Sequence, residues 1–352
     1  MPPARMSRSG IWGAYWSPDI EDVSMLNVIC AILLHATTAL LVWMTVRAWR
    51  ARIALLKWAG VSIGIPLIVM LAAAASTMWI GLYRLHARSA PVPDLKVAGT
   101  PGQIERGQAI ADGFCASCHS KTGTLTGGFD VGKKFPVAIG SFVSSNLTPA
   151  GSLKHWSDGE IFRAIRNGID ANGRRLVVMS LTNAGNLSDD DVLSLIAYIR
   201  GTPAAGAQTP EPPDEVSLLG VAMLGAGLLP GGKPVFTGTI KAPARSPTAQ
   251  YGEYIASYQD CRQCHGIDLA GGKGGLGPAG PDLTLVKDWK REEFITTMRT
   301  GTDPNGHEID GDQMPWQYIG RMDDVELGAL HEYLVHLPGA QASIANRTKI
   351  AR

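Results

Sequence analysis

Cysteine is scarce in this chain, and its few copies are clustered. The 352 residues include only five cysteines, of which four lie in two short groups. No pair is left over for a structural disulfide, so crosslinking does not account for the use of cysteine. The fifth, Cys30, lies in an apolar run and follows Ile29 instead of the small residue that a lipoprotein signal needs. We expect Cys30 to be a buried membrane cysteine.

Charge is absent from two long stretches. Residues 23–46 and 58–83 contain no Asp, Glu, Lys or Arg. Each run is long enough to cross the roughly 30 Å hydrocarbon layer as a helix. The sequence therefore predicts a transmembrane hairpin over 23–83. The net charge of the whole chain is only +1, which gives no indication of a nucleic-acid partner.

The connection between the two runs predicts the orientation of the hairpin. This short loop carries four basic residues, Arg47, Arg50, Arg52 and Lys57. Short basic loops stay on the cytoplasmic side of a membrane. We therefore expect a chain in the bacterial cytoplasmic (inner) membrane with both termini and everything after Tyr83 extracytoplasmic. Trp12, Tyr15 and Trp16 predict an interfacial segment over residues 1–22.

The two cysteine groups share the pattern C-x-x-C-H. They are Cys115-Ala116-Ser117-Cys118-His119 and Cys261-Arg262-Gln263-Cys264-His265. Two thiols at this spacing can form thioethers to the vinyl groups of one haem, and the adjoining histidine is then placed under the iron as its proximal ligand. Zinc fits less well, because a ligand histidine directly beside a ligand cysteine crowds a tetrahedral centre. The sequence predicts two covalently bound haem c groups.

An internal repeat follows the two motifs. Residues 166–173 and 299–306 both read R-x-G-x-D-x-N-G. The distance from the motif histidine to this repeat is 13 residues longer in the first copy, which indicates an insertion there. Helices are predicted around 102–114 and 248–260, before each motif. A further helix is predicted before each repeat, and Ser157 opens the first of them with Glu160 as a capping box. Each copy also ends in a predicted helix, the first starting at Ser188 and the second covering about 323–337.

This order of helices and motifs resembles the class I cytochrome c domain: a helix leading into C-x-x-C-H, a middle helix, a methionine loop and a closing helix. The resemblance covers about residues 100–201 and 248–338, and it implies an all-α fold behind the hairpin. The stretch SNLTPAGSLKHWSDGEIFRAIRNG, with Asn146 and Trp156, resembles cytochrome subunits of membrane-bound alcohol and gluconate dehydrogenases, and implies that both residues lie near the haem. In layout, the chain is also similar to the dihaem subunit of cbb3-type oxidases.

Methionines are the candidates for the sixth iron ligand. Met179 is the only methionine between His119 and the end of the first closing helix. The second copy contains three candidates, Met298, Met314 and Met322. Met314 follows the repeat at nearly the same distance as Met179 does in the first copy. Met298 and Met322 are expected to pack in the core. His155 and His307 are rival ligands, for which solvated surface positions are expected. The predicted iron ligands are His119, Met179, His265 and Met314.

The class I resemblance also implies a carbonyl from a proline loop that accepts the free ring N–H of each proximal histidine. Pro136 matches in the first copy, and Pro278 or Pro281 in the second. His35 lies mid-span, where an ionisable residue is a functional candidate. A b-type haem would need a second histidine at that depth, and His86 lies beyond the second span. We expect His35 to bond to a neighbouring helix or subunit.

Six-coordinate His/Met haems pass electrons and leave no position open for chemistry. The leading hypothesis is electron transfer within a respiratory or photosynthetic membrane complex. The alternative is the cytochrome subunit of a periplasmic dehydrogenase, and the remote one is a dihaem peroxidase-like enzyme. No catalytic residue is expected in the chain itself. Expected partners are other subunits of a membrane complex, a soluble electron carrier or terminal enzyme, and the lipid bilayer.

These patterns divide the chain into six segments. Residues 1–22 are the interfacial segment and 23–83 the transmembrane anchor. Cytochrome c domains are expected over 84–201 and 248–338. Residues 202–247, rich in Pro, Gly and Ala, are expected to link them, and 339–352 form a tail. The apolar part of the linker, 216–229, is too short to span a membrane and is expected to pack on a neighbour.

Overall fold

The computed structural model describes residues 23–120, 123–211, 214–272 and 277–337. As predicted, this part of the chain is mostly helical. Its α-helices are α1 (Val23–Trp49), α2 (Ala54–His86), α3 (Pro101–Ile110), α4 (Ala116–His119), α5 (Asp158–Asn167), α6 (Asp189–Gly201), α7 (Leu218–Gly225), α8 (Ala249–Tyr258), α9 (Cys261–His265), α10 (Arg291–Thr300), α11 (Trp316–Ile319) and α12 (Asp324–Val335). The interfacial segment 1–22 and the tail 339–352 lie outside the described residues.

Strands are short. The described strands are β1 (Gly140–Phe142), β2 (Asp214–Val216), β3 (Ala270–Gly272) and β4 (Gly280–Asp282). Strands β3 and β4 pair antiparallel, with Ala270 opposite Asp282. Two compact units emerge. Of the described residues, the hairpin unit contains 23–85, 137–140 and 215–231. The two-repeat unit contains 86–120, 123–136, 141–211, Asp214, 232–272 and 277–337.

Helices α1 and α2 form the predicted hairpin. Both are long and apolar enough to cross a membrane. They pack closely at small residues: a Cβ added to Gly64 would lie 2.2 Å from Thr45 Oγ1, and one added to Gly60 would lie 2.5 Å from the Cβ of Ala48. Large apolar side chains such as Leu33 and Met70 are exposed along the outer faces. Such surfaces suit lipid, and the two helices form a transmembrane anchor.

The apolar part of the predicted linker packs in the hairpin unit, as expected. It forms α7, whose Val221 is fully buried. A Cβ on Gly81 would lie 2.1 Å from the Val221 carbonyl oxygen, so only glycine allows this approach. Arg84 Nη1 donates to the Leu224 carbonyl at 2.6 Å, and Asn27 Nδ2 donates to the Val216 carbonyl at 2.9 Å. These bonds satisfy polar groups in a region dominated by apolar side chains.

His35 bonds to the neighbouring helix, as the sequence predicts. The indole Nε1–H of Trp79, on α2, donates to His35 Nδ1 at 3.1 Å. The two rings also meet edge to face, with centroids 6.3 Å apart. His35 Nδ1 also lies 3.3 Å from the Ala31 carbonyl oxygen of its own helix, so the ring is held between α1 and α2.

In the two-repeat unit, each repeat packs its first helix against its last, α3 against α6 and α8 against α12. Glycine makes both crossings possible. A Cβ on Gly107 would lie 2.0 Å from the Ser194 carbonyl oxygen, and one on Gly252 would lie 1.9 Å from that of Ala329. A glycine at the equivalent position of each repeat therefore lets the two helix backbones of that repeat come into contact.

Side chains cap the helices where the sequence indicates. Ser157 accepts from the Glu160 amide while the Glu160 carboxylate accepts from the Ser157 amide, so α5 opens with a complete capping box. Ser188 caps α6, and Asp323 caps α12. The predicted starts of these three helices are confirmed.

The repeated R-x-G-x-D-x-N-G sequence folds in the same way in both copies. Its first glycine ends the preceding helix in the left-handed region, with φ 61° at Gly168 and 72° at Gly301. The carbonyl of that glycine then accepts from the amide eight residues later, at 2.8 Å for Leu176 and 2.7 Å for Ile309. The sequence repeat is therefore also a structural repeat.

The two repeats share one core and one buried ionic cluster. The Arg106 guanidinium, on α3, donates to Asp191 on α6 at 2.8 Å and to Glu326 on α12. The Glu326 side chain is only 2% exposed, and the Tyr254 hydroxyl of α8 donates to Asp191. One cation of the first repeat thus balances carboxylates from both, which fixes the repeats against each other.

Replacing this cation should destabilise the unit strongly. We expect Arg106→Ala to lower the free energy of unfolding by about 3–5 kcal/mol, because it leaves Glu326 buried and unpaired. Guanidinium denaturation of the purified protein followed by circular dichroism measures this. The matched control is Arg245→Ala, which breaks an exposed pair with Asp323 and should cost less than about 1 kcal/mol. Equal effects for the two variants would contradict the assigned role of Arg106.

Candidate haem sites

The first C-x-x-C-H motif lies at a change of helix type. A π-helical turn, Ala111–Cys115, runs directly into α4, which ends at His119. The His119 ring Nδ1 lies 2.8 Å from the Ser145 carbonyl oxygen. Because a carbonyl can only accept, Nδ1 carries the proton and Nε2 has the lone pair that an iron ligand needs.

The second motif forms α9. Its His265 Nδ1 donates to the Pro281 carbonyl at 2.9 Å, which again leaves Nε2 for iron. Glycines allow close packing around this site: a Cβ on Gly280 would lie 2.8 Å from His265 Nδ1, and one on Gly277 would lie 2.5 Å from Cys264 Sγ. The loop that carries Pro281 is thus pressed against the motif.

One of the two proline predictions is confirmed and the other is wrong. Pro281 supplies the acceptor for His265, as expected. In the first repeat the acceptor is Ser145, and Pro136 is not involved. The insertion in this repeat places Pro136 before β1, whereas Ser145 follows it. The chain turn there is fixed by the neighbouring Asn146, which is fully buried.

The contacts of Asn146 give it a structural role. Its Nδ2 donates to the carbonyls of Ala205 and Ala207, both at 2.9 Å, and its Oδ1 accepts from the Thr148 amide. The side chain therefore holds the start of the predicted linker against the loop that supplies the histidine acceptor. Trp156, the other residue of this stretch, is half-buried against the core.

Both sites are poor environments for ions. Burial lowers the pKa of His119 and of His265, so both imidazoles are neutral, as ligands must be. Burial raises the pKa of the Cys115 thiol to about 12 and that of Cys261 to about 11. All five cysteines are free, and the four motif cysteines form two adjacent pairs beside a histidine. This donor set fits a covalently attached haem in each repeat.

The structure places the candidate methionines as the sequence predicts. Met298 and Met322 are buried in the core, at 5% and 3% exposure. Met314 is half-buried in a turn in which its amide donates to the Asp310 carbonyl at 2.9 Å. Met179 is half-buried in another tight turn, where its carbonyl accepts from Thr182 Oγ1 at 3.1 Å. Iron ligation by Met179 and Met314 stays a prediction.

The two rival histidines lie on the surface. His155 and His307 are both exposed, as expected. His307 lies in the repeat turn, where its amide donates to Asp303 Oδ1 at 2.9 Å. Neither position favours iron ligation, because axial ligands of a cytochrome c haem come from the protein interior.

A half-buried carboxylate near the first site was not apparent in the sequence. Asp214 accepts from the Val177 amide at 2.5 Å, and thereby ties the methionine turn to the chain after the first repeat. Burial raises the pKa of Asp214 to about 7, although this hydrogen bond and Arg175 lower it. No motif surrounds Asp214, so only the fold could show its position.

Family comparisons agree with two haem domains. The model of cytochrome c oxidase, cbb3-type, subunit III matches residues 102–199, and the cytochrome c model matches residues 249–338. The chain is 26% identical over 281 residues to the fructose dehydrogenase cytochrome subunit of Gluconobacter japonicus, a match that covers 76% of this chain. It is 33% identical over 119 residues to one of the subunits of nicotinate dehydrogenase from Pseudomonas putida, a match that covers 32% of this chain.

The chain spans 55% of the length of the first relative and 10% of the second. Each of the two family matches contains one C-x-x-C-H motif and one methionine turn, and extends into the closing helix of its repeat. Two cytochrome c domains imply two covalently bound haem c groups, and two apolar helices precede them. The chain is a membrane-anchored dihaem cytochrome c.

Proposed function

We propose that this cytochrome is the electron-transfer subunit of a membrane-bound, extracytoplasmic dehydrogenase complex. The observation that carries the proposal is the extent of the match to the fructose dehydrogenase cytochrome subunit. A stretch covering 76% of the chain must include both haem motifs wherever it begins. The nicotinate dehydrogenase of Pseudomonas putida supplies a second relative that is part of a dehydrogenase by name. These relatives favour a dehydrogenase over a respiratory or photosynthetic membrane complex.

Each haem supplies one electron-accepting iron that cycles between the ferric and ferrous states. The chain orients the proximal ligands through the Ser145 and Pro281 carbonyls. With Met179 and Met314 as sixth ligands, both irons are saturated, and substrate is oxidised in another subunit. Absence of carbon monoxide binding to the reduced protein is expected, and rapid binding would favour the dihaem peroxidase-like alternative.

The proposed topology follows from the basic loop. Arg47, Arg50, Arg52 and Lys57 would lie in the cytoplasm, with the haem domains on the outer face of the bacterial inner membrane. Electrons would pass from the dehydrogenase partner through the two haems to a membrane or soluble acceptor.

A second candidate is the haem subunit of a respiratory oxidase. It is favoured by the match of residues 102–199 to the cbb3-type subunit III model. The two candidates differ in their partners: the first needs a flavoprotein or quinoprotein dehydrogenase, and the second needs a haem-copper oxidase subunit.

Isolation of the native complex separates these candidates. The tagged full-length chain is extracted from its own membranes in a mild detergent, and the co-purifying subunits are identified by mass spectrometry. We expect a dehydrogenase subunit, whose substrate reduces the haems as followed by absorbance. A double variant, Cys261→Ser with Cys264→Ser, is the control and should lose reduction of the second haem. A stoichiometric haem-copper subunit without a dehydrogenase would overturn the proposal.

A further inference from the structure

Asp260 is a half-buried carboxylate at the junction of the two haem sites. It directly precedes the second C-x-x-C-H motif and has φ 58°, a left-handed conformation that few residues other than glycine adopt. Its Oδ1 accepts from the Asn183 amide at 2.7 Å. Asn183 lies four residues after Met179, so one side chain joins the methionine turn of the first site to the attachment helix of the second.

Several bonds hold these two segments together; we name residues 181–186 and 257–263 the haem seam. Gln263 Nε2 donates to the Leu181 carbonyl at 3.4 Å, and Asn186 Nδ2 donates to the Ser257 carbonyl at 2.7 Å. On the outer side, Lys233 Nζ donates to the Thr182 carbonyl at 2.8 Å and contacts the Asn183 side chain. Asp260 therefore lies at a fixed place between the repeats.

The Asp260 carboxylate is ionised at about pH 8. Burial raises its pKa to about 6, against the hydrogen bond from the Asn183 amide and the charge of Lys233, which lower it. Buried charges act over longer distances than exposed ones, because solvent screens them less.

The field of this carboxylate reaches both attachment sites. Burial raises the pKa of Cys118 in the first motif, and Asp260 raises it further. Asp260 also adds to the effect of burial on the pKa values of Cys261 and Cys264 in the second motif. Its charge thus acts on sulfur atoms of both motifs, which are the atoms bonded to the haem edges once attachment is complete.

We propose that Asp260 is a shared electrostatic control that lowers the reduction potentials of both haems together. A reduced haem has one more negative charge than an oxidised one. A nearby carboxylate therefore disfavours reduction, and a carboxylate between two haems disfavours it at both. The inference rests on the two haem sites and not on the identity of the partner complex.

Asp260→Asn removes the negative charge and keeps a side chain of nearly the same shape. Asparagine keeps an oxygen that can accept from the Asn183 amide, and it is among the few residues that tolerate the left-handed region. The full-length protein in detergent is titrated by absorbance at about pH 8, where the wild-type carboxylate is ionised. We expect both midpoint potentials to rise, with unchanged ferric spectra and circular dichroism.

The matched control is Asp288→Asn, which removes an exposed carboxylate from the same repeat and should leave both potentials unchanged. A shift confined to the second haem would overturn the shared role, because Asp260 would then act only on its own motif. No shift at either haem would overturn the proposal altogether.

Discussion

Replacing Cys261 and Cys264 by serine should halve the covalently bound haem, from two groups per chain to one. Each pair of thiols attaches one haem, and serine forms no thioether at the vinyl carbons. Haem that enters the second site without covalent bonds would be lost on denaturation. Haem stain on a denaturing gel and the alkaline pyridine spectrum per mole of chain measure the result. The equivalent change at Cys115 and Cys118 should give the same loss.

Cys30 provides the control within the same chain. It is free and lies in α1, far in sequence from both motifs. Cys30→Ser should leave two covalent haems per chain. If the Cys261 and Cys264 variant kept both haems after denaturation, the assignment of the second motif would be wrong. Because both repeats contribute to one hydrophobic core, we expect loss of the second haem also to weaken the packing around the first.

Replacing Met314 by leucine should lower the reduction potential of the second haem and abolish its methionine-to-iron charge-transfer band. A thioether favours ferrous iron, and leucine has similar volume but cannot ligate. The potential should fall by a sizeable part of the roughly 0.8 V range that axial ligands span. The vacated position should also bind carbon monoxide in the reduced protein. Redox titration and carbon monoxide difference spectra measure these changes, and Met179→Leu should produce them at the first haem.

Two other methionines of the second repeat serve as controls for this prediction. Met322→Leu and Met298→Leu change buried core residues and should leave the charge-transfer band in place. Retention of the band in Met314→Leu, with its loss in Met322→Leu, would show that the sixth ligand had been chosen wrongly.

Local sequence signals were sufficient for the helices and the haem motifs. The capping box at Ser157, the absence of charge over residues 23–46 and the two C-x-x-C-H motifs each depend on residues close together in the chain. The repeat at Arg166 and Arg299 was equally informative, because two copies of one sequence adopt one turn. Such features need no knowledge of the tertiary fold.

Contacts distant in the chain could not be predicted. The acceptor for His119 is a backbone carbonyl, so any residue type serves, and Ser145 gives no signal. The pairing of Arg106 with Glu326 joins two repeats, and the sequence contains many arginines and carboxylates from which to choose. Asp260 and Asp214 stand out only when the fold shows their burial.

The buried thiols of the two motifs have a consequence for biogenesis. Thioether bonds to haem require accessible and reactive sulfur, and the thiolate is the reactive form of cysteine. In the folded chain, burial holds Cys115 and Cys261 in the thiol form, with a pKa of about 12 and about 11. We therefore expect haem attachment to precede closure of the core around each porphyrin.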